Sequence, residues 1–374
     1  MKIDFYKHNL NTDDKRECMN ALNSLFLTTG SYVKEFEEKF ASYTDKKFAI
    51  GVNSCTDALF LALKYFDIKP GDEVITTPMS FIATSDAIEY CGAKPIFVDV
   101  EPATGNIDAD LIEEKITSKT KAIIPVHLYG QMCDMKKIHS IAKKYKLKVI
   151  EDCAHCIEGV RDGVKAGEYS DIACYSFYAT KNITSGEGGA LTCDDEKKAE
   201  WLKKARLHGM SKNAADRYSK KYEHYDMEFL GYKTNMTNIQ ASLLLHQIDR
   251  IDKYRAKKDQ LTQIYDKGFA TNPNINHPKT LPNSIHARHL YTVWVDRKLR
   301  DEIMHQLQEA GIGVAVNFRC IHLMSYYQKK YGFKQGSYPN AEKIGDSTIT
   351  LPLYPKLTKK ETDYVIDTLN TITS

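Results

Sequence analysis

Phe48-Ala-Ile-Gly-Val52-Asn-Ser-Cys-Thr-Asp-Ala-Leu-Phe-Leu-Ala-Leu63 changes its period in mid-course. The first five residues form an apolar run of strand length. From Ala58 the apolar positions recur at helical spacing, and Pro70-Gly-Asp72 follows as a turn. The same alternation continues to about residue 195. Glu73-Val-Ile-Thr-Thr77, Pro95-Ile-Phe-Val-Asp-Val100, Ala122-Ile-Ile-Pro-Val126 and Lys148-Val-Ile-Glu-Asp152 are short β-branched runs set between helix-length amphipathic segments. This rhythm predicts an α/β fold with a mainly parallel sheet flanked by helices. Ligands then gather at the carboxyl ends of the strands, so candidate site residues should follow strands.

Beyond the sheet, residues 238 to 269 read as one long helical stretch with apolar residues at Leu243, Leu244, Ile248 and Ile251, a link between two units. Polar Asn272-Pro-Asn-Ile-Asn-His-Pro278 follows, and the remainder reads as a smaller α+β unit. The expected division is a large domain over residues 1–250 and a small one over 251–374, with the N-terminal segment packing on the small domain. A chain of 374 residues exceeds the length at which one core stops growing.

Charge and composition exclude several classes. With 52 Lys and Arg against 49 Asp and Glu there is no basic block, which argues against nucleic acid as partner. No apolar run approaches a bilayer-spanning length and the N-terminus lacks a secretory core, so a cytoplasmic protein without a membrane partner is expected. Nine scattered cysteines, an odd number, fit free thiols. Cys153-Ala-His-Cys156 offers two thiols and an imidazole, but no second cysteine pair stands at zinc-site spacing, and no metal is predicted.

The strongest chemical element is Cys174-Tyr-Ser-Phe-Tyr-Ala-Thr-Lys181-Asn-Ile-Thr-Ser-Gly-Glu-Gly-Gly189, an apolar stretch running into a lysine and a glycine-rich turn. A lysine in a restricted pocket loses its proton more easily and attacks an aldehyde. Taken alone, a solvated turn explains it as well. Lys148-Val-Ile-Glu-Asp152-Cys-Ala-His155 sets two acids and an imidazole at a strand's end, where a carboxylate can hold a pyridinium protonated; the alternative is a cap at Asp152 and a core histidine at His155. Asn53-Ser-Cys-Thr-Asp57 opens a helix whose N-terminus can receive a phosphate or simply be capped. Phe81 stacks on a ring or belongs to the core.

In combination these segments resemble the DegT/DnrJ family of nucleotide-sugar aminotransferases, which share the aspartate aminotransferase fold, fold type I of the pyridoxal-phosphate (PLP) enzymes. The resemblance runs through Thr29-Gly-Ser-Tyr-Val-Lys-Glu-Phe-Glu37, Pro78-Met-Ser-Phe-Ile-Ala-Thr84, Val126-His-Leu-Tyr-Gly130, Arg206-Leu-His-Gly209, Leu230-Gly-Tyr-Lys-Thr-Asn-Met-Thr-Asn-Ile-Gln-Ala241, Pro339-Asn-Ala-Glu342 and Leu351-Pro-Leu-Tyr354, besides the segments above. It implies that Lys181 carries pyridoxal 5'-phosphate as a Schiff base and moves protons as a base. It also implies that Asp152 pairs with the pyridine nitrogen, His155 lies near the phenolic oxygen, Phe81 stacks on the ring, and Thr56, Asp57 and Ser176 hold the phosphate.

The same resemblance implies a homodimer with shared sites, glutamate as amino donor and a nucleotide-linked ketosugar as acceptor. The Gly-Glu-Gly-Gly189 tail favours a 4-keto group. Three departures stand out. Lys233 replaces an asparagine that in relatives reaches the partner's cofactor phosphate. Val316-Asn-Phe-Arg319 precedes His322 where relatives carry His-Tyr or His-Phe, and Ala215 replaces a frequent tryptophan in the segment ending Arg217-Tyr218. Arg217, Tyr218, Arg319 and His322 are the candidate substrate contacts. The rival readings are a PLP lyase of the same fold and a non-catalytic, regulatory sugar-binding homologue; a nicotinamide dehydrogenase lacks its Gly-x-Gly-x-x-Gly.

Overall fold

The structure is a computed structural model, and it describes residues 1–212 and 224–374. Its strands are β1 Phe48–Val52, β2 Glu73–Thr76, β3 Lys94–Phe97, β4 Thr120–Ile123, β5 Lys148–Asp152, β6 Val160–Arg161, β7 Val164–Lys165, β8 Ile172–Ser176, β9 Gly189–Cys193, β10 Ser284–Ile285, β11 Tyr291–Trp294 and β12 Thr348–Leu351. Seven of them form the central sheet in the order β1-β9-β8-β5-β4-β2-β3. All its pairings are parallel except those of β9, which runs against both β1 and β8. The five strands expected from the apolar runs are present, with ends displaced by up to three residues.

Alternate residues of each strand enter opposite cores, which is why the runs read as continuously apolar. Ala49, Ile75, Ile123, Val149 and Tyr175 join one cluster with Phe36, Phe40, Ile138 and Leu244. Ile50, Val74, Ala122, Ile150 and Cys174 join another with Leu59, Ile88 and Leu202. Helices therefore cover both faces of the sheet. All nine cysteines are free and eight are buried, seven of them among these apolar side chains.

A third cluster lies in the C-terminal part, where β11 and β12 pair antiparallel and Leu261, Tyr265, Val293, Leu307, Ile349, Val365 and Leu369 pack together. Ile3 is in the same cluster: its N–H donates to the Gly311 carbonyl at 2.8 Å, and its own carbonyl accepts from Gly313 N–H at 2.8 Å. Among the described residues no helix is long and apolar enough to cross a membrane.

One expectation needs correction. The stretch 238 to 269 is two helices, Asn238–Ile248 and Ile251–Phe269, not one. Helix propensity does not break there; tertiary contacts do. Arg250 turns its guanidinium onto the buried Asp14 carboxylate at 2.7 and 2.9 Å, and Asp249 accepts from Lys39 at 2.6 Å. The first helix then packs on helices Thr12–Leu22 and Ser31–Tyr43, while the second carries Leu261, Tyr265 and Phe269 into the C-terminal cluster.

Candidate active site

The carboxyl ends of β5 and β8 open on a cavity of about 420 Å³ lined by Asp152, His155, Ser176, Lys181, Thr56 and Phe81, among others. These six residues were each expected from the sequence, and the fold brings them to one place. The reversed strand β9 makes this possible. In register, Val52, Gly189 and Ser176 stand side by side, so the loop carrying Lys181 leaves and re-enters the sheet at the same edge. Gly189 must be glycine: a Cβ there would lie 2.4 Å from the Ser54 carbonyl carbon.

Asp152 is buried, with Thr84 Oγ1 donating to its Oδ2 at 2.7 Å and Ala154 N–H to its Oδ1 at 3.1 Å. Burial pushes this carboxyl up; the Thr84 and Ala154 bonds and the nearby Lys181 charge oppose that. The Thr84 hydroxyl itself lies 3.1 Å from Ser80 Oγ. Lys181 is pushed down to about 8 by burial, with Cys55 and Asp152 pulling the other way. A lysine with that value is a free amine in an appreciable fraction of molecules near neutral pH.

His155 is held well below its ordinary value by burial and then by the Lys181 charge. Its Nδ1 accepts from Tyr129 N–H at 3.3 Å, so the neutral ring carries its proton on Nε2. The imidazole has His289 at 4.4 Å between ring centroids and Phe318 at 5.7 Å. His289 and Phe318 also line the cavity, and sequence reasoning missed both, as it missed Thr84. Thr84 follows Phe81 by one turn within Pro78-Met-Ser-Phe-Ile-Ala-Thr84, which was the available signal. His289 lies in Ser284-Ile-His-Ala-Arg-His-Leu-Tyr291, a stretch without a chemical pattern.

Ser54 caps helix Cys55–Tyr65, accepting from Asp57 N–H at 3.0 Å. The capping alternative is thus realised at Asp57, whose amide is turned onto Ser54. Thr56 stands between two cavities, the one holding Lys181 and a second of about 410 Å³ lined also by Asp57, Tyr232 and Lys233. Lys233 therefore flanks the same helix N-terminus from the other side, its Nζ donating to Asn235 Oδ1.

Of the candidate substrate contacts, Arg217 and Tyr218 lie outside the described residues, as does Ala215. Arg319 is exposed and does not line the Lys181 cavity, whereas its neighbours Asn317 and Phe318 do. His322 is a correction: its imidazole is fully buried, its Nε2 is 2.9 Å from Glu342, and Tyr338 and Phe333 pack against it edge-on. It is not in the cavity lining.

The second acid at the end of β5, Glu151, points to the opposite face, as alternation along a strand requires. It meets His127 Nε2 at 2.8 Å and Gly167 N–H at 2.8 Å. With Cys153 these residues are the group among the described residues whose ligand atoms stand close enough to hold a metal. His127 Nδ1 already accepts from Cys133 N–H, however, which places the ring proton on Nε2 toward Glu151. The pair is a buried hydrogen bond rather than a ligand set.

A family model for the DegT/DnrJ/EryC1/StrS aminotransferases matches residues 8–370. The chain belongs to this family. The spore coat polysaccharide biosynthesis protein SpsC of Bacillus subtilis is 41% identical, over 96% of this chain and 94% of that protein. The GDP-perosamine synthase of Caulobacter vibrioides is 36% identical, over 95% and 93%. Spr1654 of Streptococcus pneumoniae, solved in its PMP form, superposes with a TM-score of 0.94 at 32% identity, covering 100% of this chain and 99% of that one. Membership makes the chain a PLP-dependent aminotransferase. The residues present fit the cofactor: one cavity combines an amine of lowered basicity, a buried carboxylate, a helix N-terminus and an aromatic ring.

Proposed function

We propose that this PLP-dependent sugar aminotransferase takes an amino group from glutamate and delivers it to the 4-keto group of a nucleotide-linked sugar. The observation that carries the reading is Lys181, an enclosed amine with a value of about 8, sharing one cavity with the buried Asp152 carboxylate. When bound, the cofactor supplies an electron sink for the carbanion formed at the substrate carbon.

The remaining work falls to the chain. Lys181 Nζ would hold the cofactor at rest and, as a free amine, would carry the proton from the donor's α-carbon to the cofactor carbon on the far side of the transferred nitrogen. Asp152, whose ionised form the Thr84 and Ala154 bonds favour against burial, would face the pyridine nitrogen. His155 presents Nε2–H as a donor to the phenolic oxygen, and Phe81 covers the ring. Ser176 and the Thr56 amide receive the phosphate, Lys233 adds a positive charge at that helix end, and Asp57 contributes on release from its cap.

Arg319 meets substrate, with Arg217 and Tyr218. The domain division at residue 250 leaves most of this cavity on the larger unit, with His289, Asn317 and Phe318 closing it from beyond and Phe5 joining them from the N-terminal segment. Exposed Leu25, Met227 and Leu230 support a homodimer that completes the site. We place the enzyme in the cytoplasm. The relatives named for GDP-perosamine and for spore coat polysaccharide support a nucleotide-linked sugar and a polysaccharide pathway.

The test is the visible spectrum of the enzyme before and after glutamate, followed by multiple-turnover assays with nucleotide-linked 4-keto and 3-keto sugars. Conversion of the cofactor band by glutamate, with turnover of the 4-keto sugar, is expected. A band that glutamate leaves unchanged refutes the donor, and turnover of the 3-keto sugar alone refutes the position.

A further inference from the structure

Behind Lys181 lies a buried polar network with no part in the chemistry above. Lys258, on helix Ile251–Phe269, is 3% exposed. Its Nζ donates to Asn182 Oδ1 at 2.6 Å and lies 3.5 Å from the Ala287 carbonyl. The Asn182 amide in turn donates from Nδ2 to both Glu158 oxygens at 2.9 Å and to the Ala287 carbonyl at 2.8 Å. An ammonium only donates and a carboxylate only accepts, so the two charges fix which way the Asn182 amide faces. Burial lowers Lys258 to about 8 and raises Glu158, each opposed by the other's charge.

The sequence positions give the network its meaning. Asn182 follows Lys181, Glu158 comes three residues after His155, and Ala287 two before His289. Asp259, next to Lys258, accepts from the Arg288 guanidinium at 2.7 Å and ties the helix to that last segment again. Lys258, Asn182, Lys181 and His289 also line one small cavity. Three segments that meet at the reacting amine are thus joined at a single half-buried amide.

We propose that Lys258 is a positioning residue for amino transfer: through Asn182 and Glu158 it fixes the segment carrying Lys181 against those carrying His155 and His289. The proposal rests on Lys181 being the amine that holds the cofactor. An unpaired Glu158 would be costly in the interior, so two variants are needed. Lys258→Met removes the ammonium, and Lys258→Met with Glu158→Gln removes both charges while keeping an acceptor for Asn182.

Each variant is compared with wild type for thermal stability, for the rate at which apoenzyme captures added PLP, and for kcat and KM of glutamate with a nucleotide-linked ketosugar at saturation as acceptor. The double variant should regain stability yet capture PLP about tenfold more slowly and lose about tenfold in kcat, with KM for glutamate little changed, as expected for one lost charge-assisted hydrogen bond. Capture rate and kcat that recover with stability would overturn the proposal, because the network would then be structural only. So would wild-type rates in a folded Lys258→Met. If the single variant does not fold, the double variant carries the comparison. A wild-type enzyme without a cofactor band refutes the Lys181 reading, and the proposal with it.

Discussion

Thr84→Val is the sharpest perturbation the site offers, because it deletes one hydroxyl and conserves shape. That hydroxyl donates to Asp152 Oδ2 at 2.7 Å in a buried setting. The bond favours the ionised carboxylate, so its loss raises the carboxyl's pKa, which burial has already pushed up. A hydrogen bond to a charged group contributes about 1.5–3 kcal/mol. At about 1.4 kcal/mol per pH unit, the acid limb moves up by roughly one to two pH units. The assay is the pH dependence of cofactor conversion by glutamate in single turnover. Thr84→Ser, which keeps a donor, should stay close to wild type. An acid limb that does not move in a folded Thr84→Val enzyme would refute the claim that this bond keeps Asp152 ionised.

Two further expectations follow from burial and exposure. Replacing Lys181 by Met should stabilise the apoenzyme. The folded value of about 8 lies below the ordinary 10.5, so the unfolded chain binds the extra proton between those pH values. The gain is therefore greatest below pH 8, at most about 3 kcal/mol, and is gone above pH 10.5; urea unfolding at several pH values reads it, and a gain that grows with pH would contradict it. Phe81 is 56% exposed, so Phe81→Ala should cost less than about 1 kcal/mol in stability. Cofactor dissociation should nonetheless quicken roughly two- to tenfold, the amount that loss of ring stacking implies. Unchanged dissociation would remove Phe81 from the cofactor site.

What the sequence disclosed follows from how local each signal is. The strands were legible because their β-branched runs are buried on both faces, and Lys181, Asp152, His155 and Ser176 because they sit at or just past strand ends, where an open α/β sheet gathers its ligands. Thr56 and Asp57 were visible as a helix opening, but the commitment of the Asp57 amide to Ser54 depends on side-chain geometry that the sequence does not carry. The break at Asp249-Arg250 was hidden because its cause lies in Asp14 and Lys39, more than two hundred residues away. His289 and Phe318 reach the cavity from the C-terminal third through tertiary packing alone. His322 looked polar and available, yet Glu342, Tyr338 and Phe333 enclose it.

The reversed strand also dictates an order of events during synthesis. β1 is an edge strand of the central sheet and is bonded within it to β9 alone, whose residues come about 140 positions later. Until Gly189–Cys193 has been made and inserted beside β8, Phe48–Val52 has no place in the sheet, and the helix that follows it has no fixed foundation. The middle strands can assemble as the chain emerges; the anion-receiving end of the cavity cannot. Cofactor capture during refolding should therefore report closure of this pairing, the longest in range within the central sheet, rather than collapse of the sheet's centre, and a chain halted near residue 185 would hold the lysine, the aspartate and no receptacle for the phosphate.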